Sequence, residues 1–124
     1  MKIKRQIIYD LTEAFKKIDN CKFSPIITYT LSKNYRRLQE EMSDLEKVRV
    51  KLVEQHGLDK RDEKGNINQT AFHNFQKEWQ EFLSGETELV LSMLKLNDLK
   101  LDSNNIPITA LAALDNILIQ PEEK

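Results

Sequence analysis

The sequence has few of the residues on which several small-protein classes depend. Its 124 residues include one cysteine, three glycines and three prolines. A single cysteine excludes an internal disulfide and a cysteine-based zinc cluster, and it favours a reducing compartment. So few glycines and prolines exclude a turn-rich all-β sandwich and leave no glycine-rich loop for phosphate binding.

Long apolar runs are missing as well. None approaches the roughly 20 residues of a membrane-spanning helix, and the first residues lack the apolar stretch of a secretory signal. We therefore expect no membrane partner and a cytoplasmic location. Charged residues, in contrast, make up 31% of the chain, against about 25% in an average globular domain. This excess is typical of long helices with solvated faces.

The charges are distributed unevenly along the chain. Residues 1–61 carry 14 basic and 9 acidic side chains, a net charge of +5, whereas residues 62–124 carry 5 basic and 11 acidic ones, a net charge of −6. Halves of opposite sign can pair within one chain or between two copies, so neither half requires an external polyanion.

The spacing of apolar residues predicts a mainly α fold in a single domain, 1–124. Apolar residues recur at steps of three and four over 3–18, which indicates a first helix. A long helix over 25–56 follows, because Ser24 and Pro25 are favourable starting residues. Its apolar positions repeat about every 3.5 residues, as in a coiled coil. We expect this helix to form a helical-hairpin spine that shorter helices flank.

The second half of the chain alternates polar connections with apolar elements. Its aromatic residues step at helical spacing from Phe72 to Phe82, which is typical of a core-facing helix. The apolar run 89–96 fits either a buried strand or a buried helical turn, and Asn97-Asp98 resembles a hairpin turn, so we adopt the strand interpretation. The predicted elements are a polar loop at 57–68, a helix at 69–84, a possible β-hairpin at 87–102 and a last helix at 107–119.

Residues that could carry catalysis or bind a metal are sparse. Cys21, His56 and His73 lack the paired spacing of zinc ligands. The loop 58–69 imitates a calcium loop around Gly65, but lysines occupy two of the ligand positions. The motifs of nucleophile elbows and phosphate loops are missing. We therefore expect no enzyme activity, no metal and no cofactor, unless a cleft places Cys21 beside a histidine.

The first part of the long helix is the clearest candidate for an interaction surface. Basic residues alternate there with aromatic ones, a combination that can anchor a protein interface or bind phosphates and bases. A net charge of −1 is not typical of a dedicated nucleic-acid-binding domain, which makes nucleic acid the alternative. The candidate interaction residues are Tyr29, Lys33, Tyr35, Arg36 and Arg37.

The order of these features resembles that of a group of small, uncharacterised phage and prophage proteins. In that group a long helix opens with a hydrophobic stretch and Lys-Asn-x-x-x-Leu, and an Asp-Glu-x-Gly-Asn turn, a second helix and a Leu-x-x-Leu helix follow. The matching residues here are Lys33-Asn34 with Leu38, Asp62-Glu63-Lys64-Gly65-Asn66, the helix from Phe75 to Leu83, Glu86-Thr87-Glu88 and Leu111-Ala112-Ala113-Leu114. The resemblance implies a phage origin and a role inside the host cell, and it assigns no functional residues.

Taken together, these features favour a non-enzymatic, phage-encoded protein–protein interaction module. Such a module would serve as an adaptor, an assembly factor or an inhibitor of a host factor. We expect it to bind a protein partner and to form homo-oligomers, since apolar residues such as Val50 and Val53 lie off the main seam of the long helix. The alternative is a nucleic-acid-associated protein that uses the basic face of this helix.

Replacing Leu45 with aspartate tests whether the repeating apolar positions of the long helix are buried. The Leu45→Asp variant should lose several kcal/mol of unfolding free energy, because an unpaired charge would be buried. Thermal or urea unfolding measures the loss, and a variant that melts like the unchanged protein would remove Leu45 from the core.

Overall fold

The long helix sits within an arrangement of four helices and one small sheet. The structure, a computed structural model, describes residues 1–119. In chain order, its elements are strand β1 (Lys2–Lys4) and helices α1 (Arg5–Lys17), α2 (Pro25–Gln55) and α3 (Gln69–Leu83), followed by strand β2 (Glu86–Glu88) and helix α4 (Ile108–Leu114), with short 3-10 helices at Leu96–Leu99 and Asp115–Ile117.

Local signals at both ends of α2 explain its 31 residues. The Ser24 hydroxyl oxygen accepts a hydrogen bond from the Ile27 amide at 3.4 Å, and Pro25 opens the first turn. Gly57 follows the last turn with φ +67°, a left-handed conformation that glycine adopts without strain. The predicted mainly α fold with one long, unbroken helix is confirmed.

The two neighbouring helices cover different halves of α2. The ring of Phe15, near the end of α1, lies 5.9 Å from that of Tyr35, so α1 runs back along the first half. The ring of Phe75 lies 6.4 Å from that of His56, which places α3 along the second half. Three leucines spaced seven residues apart along α2 are buried, namely Leu31, Leu38 and Leu45.

The hydrophobic core lies around α1, between the first half of α2 and helix α4. The side chains of Ile8 and Leu11 on α1 are fully buried, as is Leu114 on α4. A stripe of large aliphatic residues on α1 therefore faces other elements rather than water, and burying each of these side chains contributes about 1.5–3 kcal/mol to stability. The solvated side of α1 carries its charged residues, including Glu13, Lys16 and Lys17.

The chain contains a small antiparallel sheet, as expected, but its strands come from distant parts of the sequence. The register places Ile3 opposite Thr87, with Lys2 opposite Glu88 and Lys4 opposite Glu86. The predicted start of the first helix at residue 3 is therefore wrong, because residues 2–4 are extended. Ile3 is buried although it lies in a strand. Its four-residue spacing to Ile7 is also typical of a helix, so the pattern predicted a helix there.

The predicted hairpin within 87–102 is wrong in its pairing. Strand β2 pairs with β1, and the expected turn at Asn97-Asp98 lies in the 3-10 helix Leu96–Leu99. The Asp98 carboxylate accepts a hydrogen bond from the Lys95 amide at 2.9 Å, which stabilises this turn locally. The segment between β2 and this turn is extended but forms no hairpin, and Leu91 and Leu94 within it are buried.

Two buried asparagine side chains bond backbone groups that lie outside the helices and strands. Asn34, which is 0% exposed, donates to the Ser92 carbonyl oxygen at 2.9 Å and accepts from the Ser92 amide at 2.8 Å. The Asn104 amide group bonds both backbone groups of Lys22 in the same way, at 2.9 and 2.8 Å, and also donates to the Leu99 carbonyl oxygen. These side chains thus provide the hydrogen bonds that buried backbone requires.

The last helix is shorter than predicted. Helix α4 ends at Leu114, and a 3-10 turn leads to Leu118, which forms a parallel bridge with Leu94. The Ile119 amide donates to the Leu94 carbonyl oxygen at 2.7 Å. The pairing with an extended segment draws the chain out of the helix before residue 119.

A polar contact and an aromatic contact join the three long helices where α3 leaves the core. The Tyr9 hydroxyl donates to Glu46 at 3.0 Å, and Arg49 donates to the same carboxylate at 2.8 Å. The Tyr9 ring packs edge-on against Trp79, with centroids 6.0 Å apart. Beyond this point the aromatic stripe of α3 is half-buried, so these aromatics pack onto α2 without reaching the central core.

Removing the Asn34 amide should destabilise the fold by about 2–4 kcal/mol, since both Ser92 backbone groups would lose their partner inside the protein. We expect this loss for Asn34→Ala in urea unfolding. The exposed Asn105 offers a control, and Asn105→Ala should stay within about 0.5 kcal/mol of the original. Equal stability of the two variants would contradict the role of Asn34.

The Tyr9 contact predicts a pH dependence. Burial and then the neighbouring Glu46 carboxylate raise the pKa of Tyr9 above its ordinary value of about 10. The folded state therefore holds the phenol proton more tightly than the unfolded state, so its contribution to stability is full below about pH 10 and is lost as the pH rises further.

We expect Tyr9→Phe to lose about 1 kcal/mol at neutral pH and to be less sensitive to alkali than the original protein. Urea unfolding at neutral and alkaline pH measures both effects. Tyr29→Phe is the matched control, because Tyr29 is 58% exposed. Alkaline profiles that coincide for the unchanged protein and Tyr9→Phe would contradict this assignment.

Candidate functional site

Four of the five candidate interaction residues share the exposed side of α2. Tyr29 is 58% exposed, and the Lys33 ammonium lies 4.7 Å from the centre of its ring, in a cation–π contact. Arg36 lies one turn further along and is exposed, while Arg37 is half-buried beside it. The helix thus presents a ridge of one aromatic and three cationic side chains.

An extended segment borders this ridge. Arg37 Nη1 donates to the Val90 carbonyl oxygen at 2.9 Å, and the Asn34 amide holds Ser92 one turn earlier on α2. The segment from Val90 to Met93 therefore runs along α2 in the opposite direction. Leu91 and Leu94 face the core, whereas their neighbours Val90 and Met93 face outward and are 66% and 40% exposed.

The surface formed by these two elements is apolar and positive. We call it the acid-free face and define it by Ile26, Tyr29, Lys33, Arg36, Arg37, Val90 and Met93. Residues 20–39 and 89–97 contain no aspartate or glutamate; Asp19 and Glu40 flank the first segment, and Glu88 and Asp98 flank the second. Ile26 is 66% exposed, so four large apolar side chains lie in water beside three cations.

Tyr35, the fifth candidate, lies on another side of α2. It is half-buried against Phe15 and lines a cleft of about 430 Å³ between the end of α1 and the start of α2. Cys21 lines the same cleft, but neither histidine does. His56 faces α3, where its Nε2 lies 3.4 Å from Glu78, and His73 is exposed on α3. The cleft therefore does not place Cys21 beside a histidine.

The polar loop after α2 folds as a turn. The Asp62 carboxylate accepts hydrogen bonds from the amides of Lys64 and Asn66, both at 2.8 Å, and Gly65 adopts φ +80°. One oxygen of this carboxylate thus caps the turn rather than pointing into a coordination sphere. Across residues 1–119, no three histidine, cysteine, aspartate or glutamate side chains come close enough to hold a metal ion.

None of the helices in residues 1–119 combines the length and the apolar character needed to cross a membrane.

Three members of the acid-free face did not emerge from the sequence. Ile26 sits beside the half-buried Ile27, and either could have belonged to the seam. Val90 and Met93 lie in a nearly continuous apolar run. Buried and exposed positions there are both apolar, so the sequence does not distinguish them. The only available signal was the absence of acidic residues from both segments.

Comparisons with known proteins give no match. No protein-family profile, no curated protein and no solved structure is significantly similar to this chain. The resemblance to phage proteins therefore stays a prediction.

Proposed function

We propose that this protein acts by binding another protein through the acid-free face, and that it is not an enzyme. The observation that carries the proposal is the exposure of Ile26, Tyr29, Val90 and Met93 on one positive surface. Exposed apolar side chains that cluster are typical of interaction sites, because water contact with them is unfavourable until a partner covers them.

The charge of the face favours a partner of a particular kind. Lys33, Arg36 and Arg37 would attract an acidic surface and speed its encounter, and a second copy of the same face would be repelled. We therefore propose an acidic partner at this face. The expected homo-oligomer would have to form elsewhere, and sedimentation or light scattering tests it independently.

A phage adaptor, assembly factor or host-factor inhibitor would fit this description, and that setting is part of the proposal. Nucleic acid is the second candidate, because Tyr29 and the three cations could bind bases and phosphates. The apolar side chains of Ile26, Val90 and Met93 favour the protein partner, since they have neither a positive charge nor a hydrogen-bond donor for a phosphate.

Two exposed valines provide a matched test of this proposal. Val90 lies on the acid-free face, and Val50 is 45% exposed on the second half of α2. Affinity capture from the native host should recover a protein with the unchanged chain and with Val50→Glu. We expect Val90→Glu to weaken that binding by more than about tenfold, with unchanged melting temperature.

The outcomes of this experiment separate the candidates. A captured protein that binds both valine variants equally would contradict the proposed face. Retention on DNA at about 50 mM salt that is lost by about 200 mM, and that does not change in Val90→Glu, would favour nucleic acid instead.

A further inference from the structure

The cleft beside the acid-free face has an apolar interior. Three aromatic side chains line it, one each from α1, the connection and α2. The ring of Phe15 is tilted 33° against that of Tyr35 at 5.9 Å, so this part of the wall is already ordered by packing. The apolar lining residues are Phe15, Ile18, Cys21, Phe23, Leu31 and Tyr35.

Polar groups are confined to a few positions in the lining. Ser32 donates its hydroxyl hydrogen to the Thr28 carbonyl oxygen at 2.8 Å, so this donor is already used. Lys16 and Asp19 carry opposite charges on the α1 side, and Lys16 pairs with Glu13 at 3.3 Å. An occupant would therefore gain mainly apolar and aromatic contact, and its polar groups would find few partners inside.

The cleft and the acid-free face share the same turns of α2. Lys33 and Arg36 directly follow the cleft residues Ser32 and Tyr35 in the chain, and both cations are exposed. A segment that lies along these turns would thus meet cations on one side and an apolar cavity on the other. Charge complementarity requires acidic residues in that segment, and the cavity requires a large apolar one.

We propose that the cleft receives an aromatic side chain from an acidic segment of the partner protein. This inference rests on the proposed function and deepens it, because it names the chemistry that the partner presents. Aromatic side chains that enter preformed pockets dominate the energetics of many interfaces. A volume of about 430 Å³ is in the range of cavities that hold drug-sized groups, so the cleft is large enough for one aromatic ring.

The probe is a short capped peptide with a central phenylalanine between serines, flanked on each side by aspartate and glutamate residues. We expect it to cause saturable shifts of the Phe15, Leu31 and Tyr35 amide signals in ¹H–¹⁵N NMR spectra. Replacing its phenylalanine with alanine should weaken binding by more than about tenfold. Replacing its acidic residues with lysine should abolish binding.

Two threonines provide the matched protein variants. Thr28 lines the cleft and Thr70 is exposed at the start of α3, so tryptophan at either position is accommodated at the surface. Thr28→Trp should fill the cleft and prevent the shifts, whereas Thr70→Trp should leave them unchanged. Alkylation of Cys21 with N-ethylmaleimide blocks the cleft without a mutation, because the chain has one cysteine.

Several results would overturn the inference. Shifts that are confined to Lys33 and Arg36 and are unchanged in Thr28→Trp would exclude binding in the cleft. They would remain consistent with binding at the acid-free face. Cleft binding that persists in Arg36→Glu, or that favours the lysine peptide, would exclude an acidic segment. Shifts that appear with protein concentration alone would identify a second copy as the occupant. The absence of cleft shifts at about 1 mM peptide would also contradict the proposal.

Discussion

The buried amide group of Asn34 is the interaction on which the rest of the structure depends. Between β2 and α4 the chain has almost no regular structure, yet Leu91, Leu94 and Leu99 within it belong to the core. Backbone groups that enter a core need hydrogen-bond partners, and an isolated extended segment cannot supply them. Asn34 provides both bonds to Ser92 from inside α2, and it thereby holds Leu91 inward and Val90 outward. The same amide group thus stabilises the core and positions the acid-free face.

The unequal charge of the two halves has a counterpart in the small sheet. Lys2 and Lys4 of β1 lie opposite Glu88 and Glu86 of β2, where cross-strand pairs of opposite charge stabilise a sheet modestly. The amino group of Met1 adds an ion pair with Glu88 at 3.1 Å. Part of the positive charge near the start of the chain is thereby balanced within the fold. Lys33, Arg36 and Arg37 have no ion-pair partner within residues 1–119, whereas Lys47 and Arg49 further along α2 pair with Asp44 and Glu46. The acid-free face therefore keeps its positive charge, which is the basis of the proposed acidic partner.

Much of the helical framework could be predicted because its signals are local. Ser24, Pro25 and Gly57 mark the ends of α2 through capping and backbone preferences, and Asn68 does the same for α3 by accepting a hydrogen bond from the Ala71 amide at 3.0 Å. The sheet could not be predicted, because its strands are three residues long and more than 80 residues apart. Of the candidate site, Tyr29, Lys33, Arg36 and Arg37 were predicted from the alternation of basic and aromatic residues on the long helix. Their neighbours Val90 and Met93 were not, since contact with Arg37 and Asn34 places them there.

Composition and periodicity alone determined that this chain is mainly helical, that α2 is continuous and that the familiar catalytic motifs are missing. These properties depend on steric preferences and hydrogen bonds within a few residues, which the order of amino acids expresses directly. Tertiary structure decided which apolar residues remain in water and which side of the run 89–96 enters the core. That choice depends on packing and on two buried asparagines whose backbone partners lie 58 and 82 residues away. A contact across such a distance leaves no periodic pattern, so only the folded chain shows which apolar side chains remain exposed.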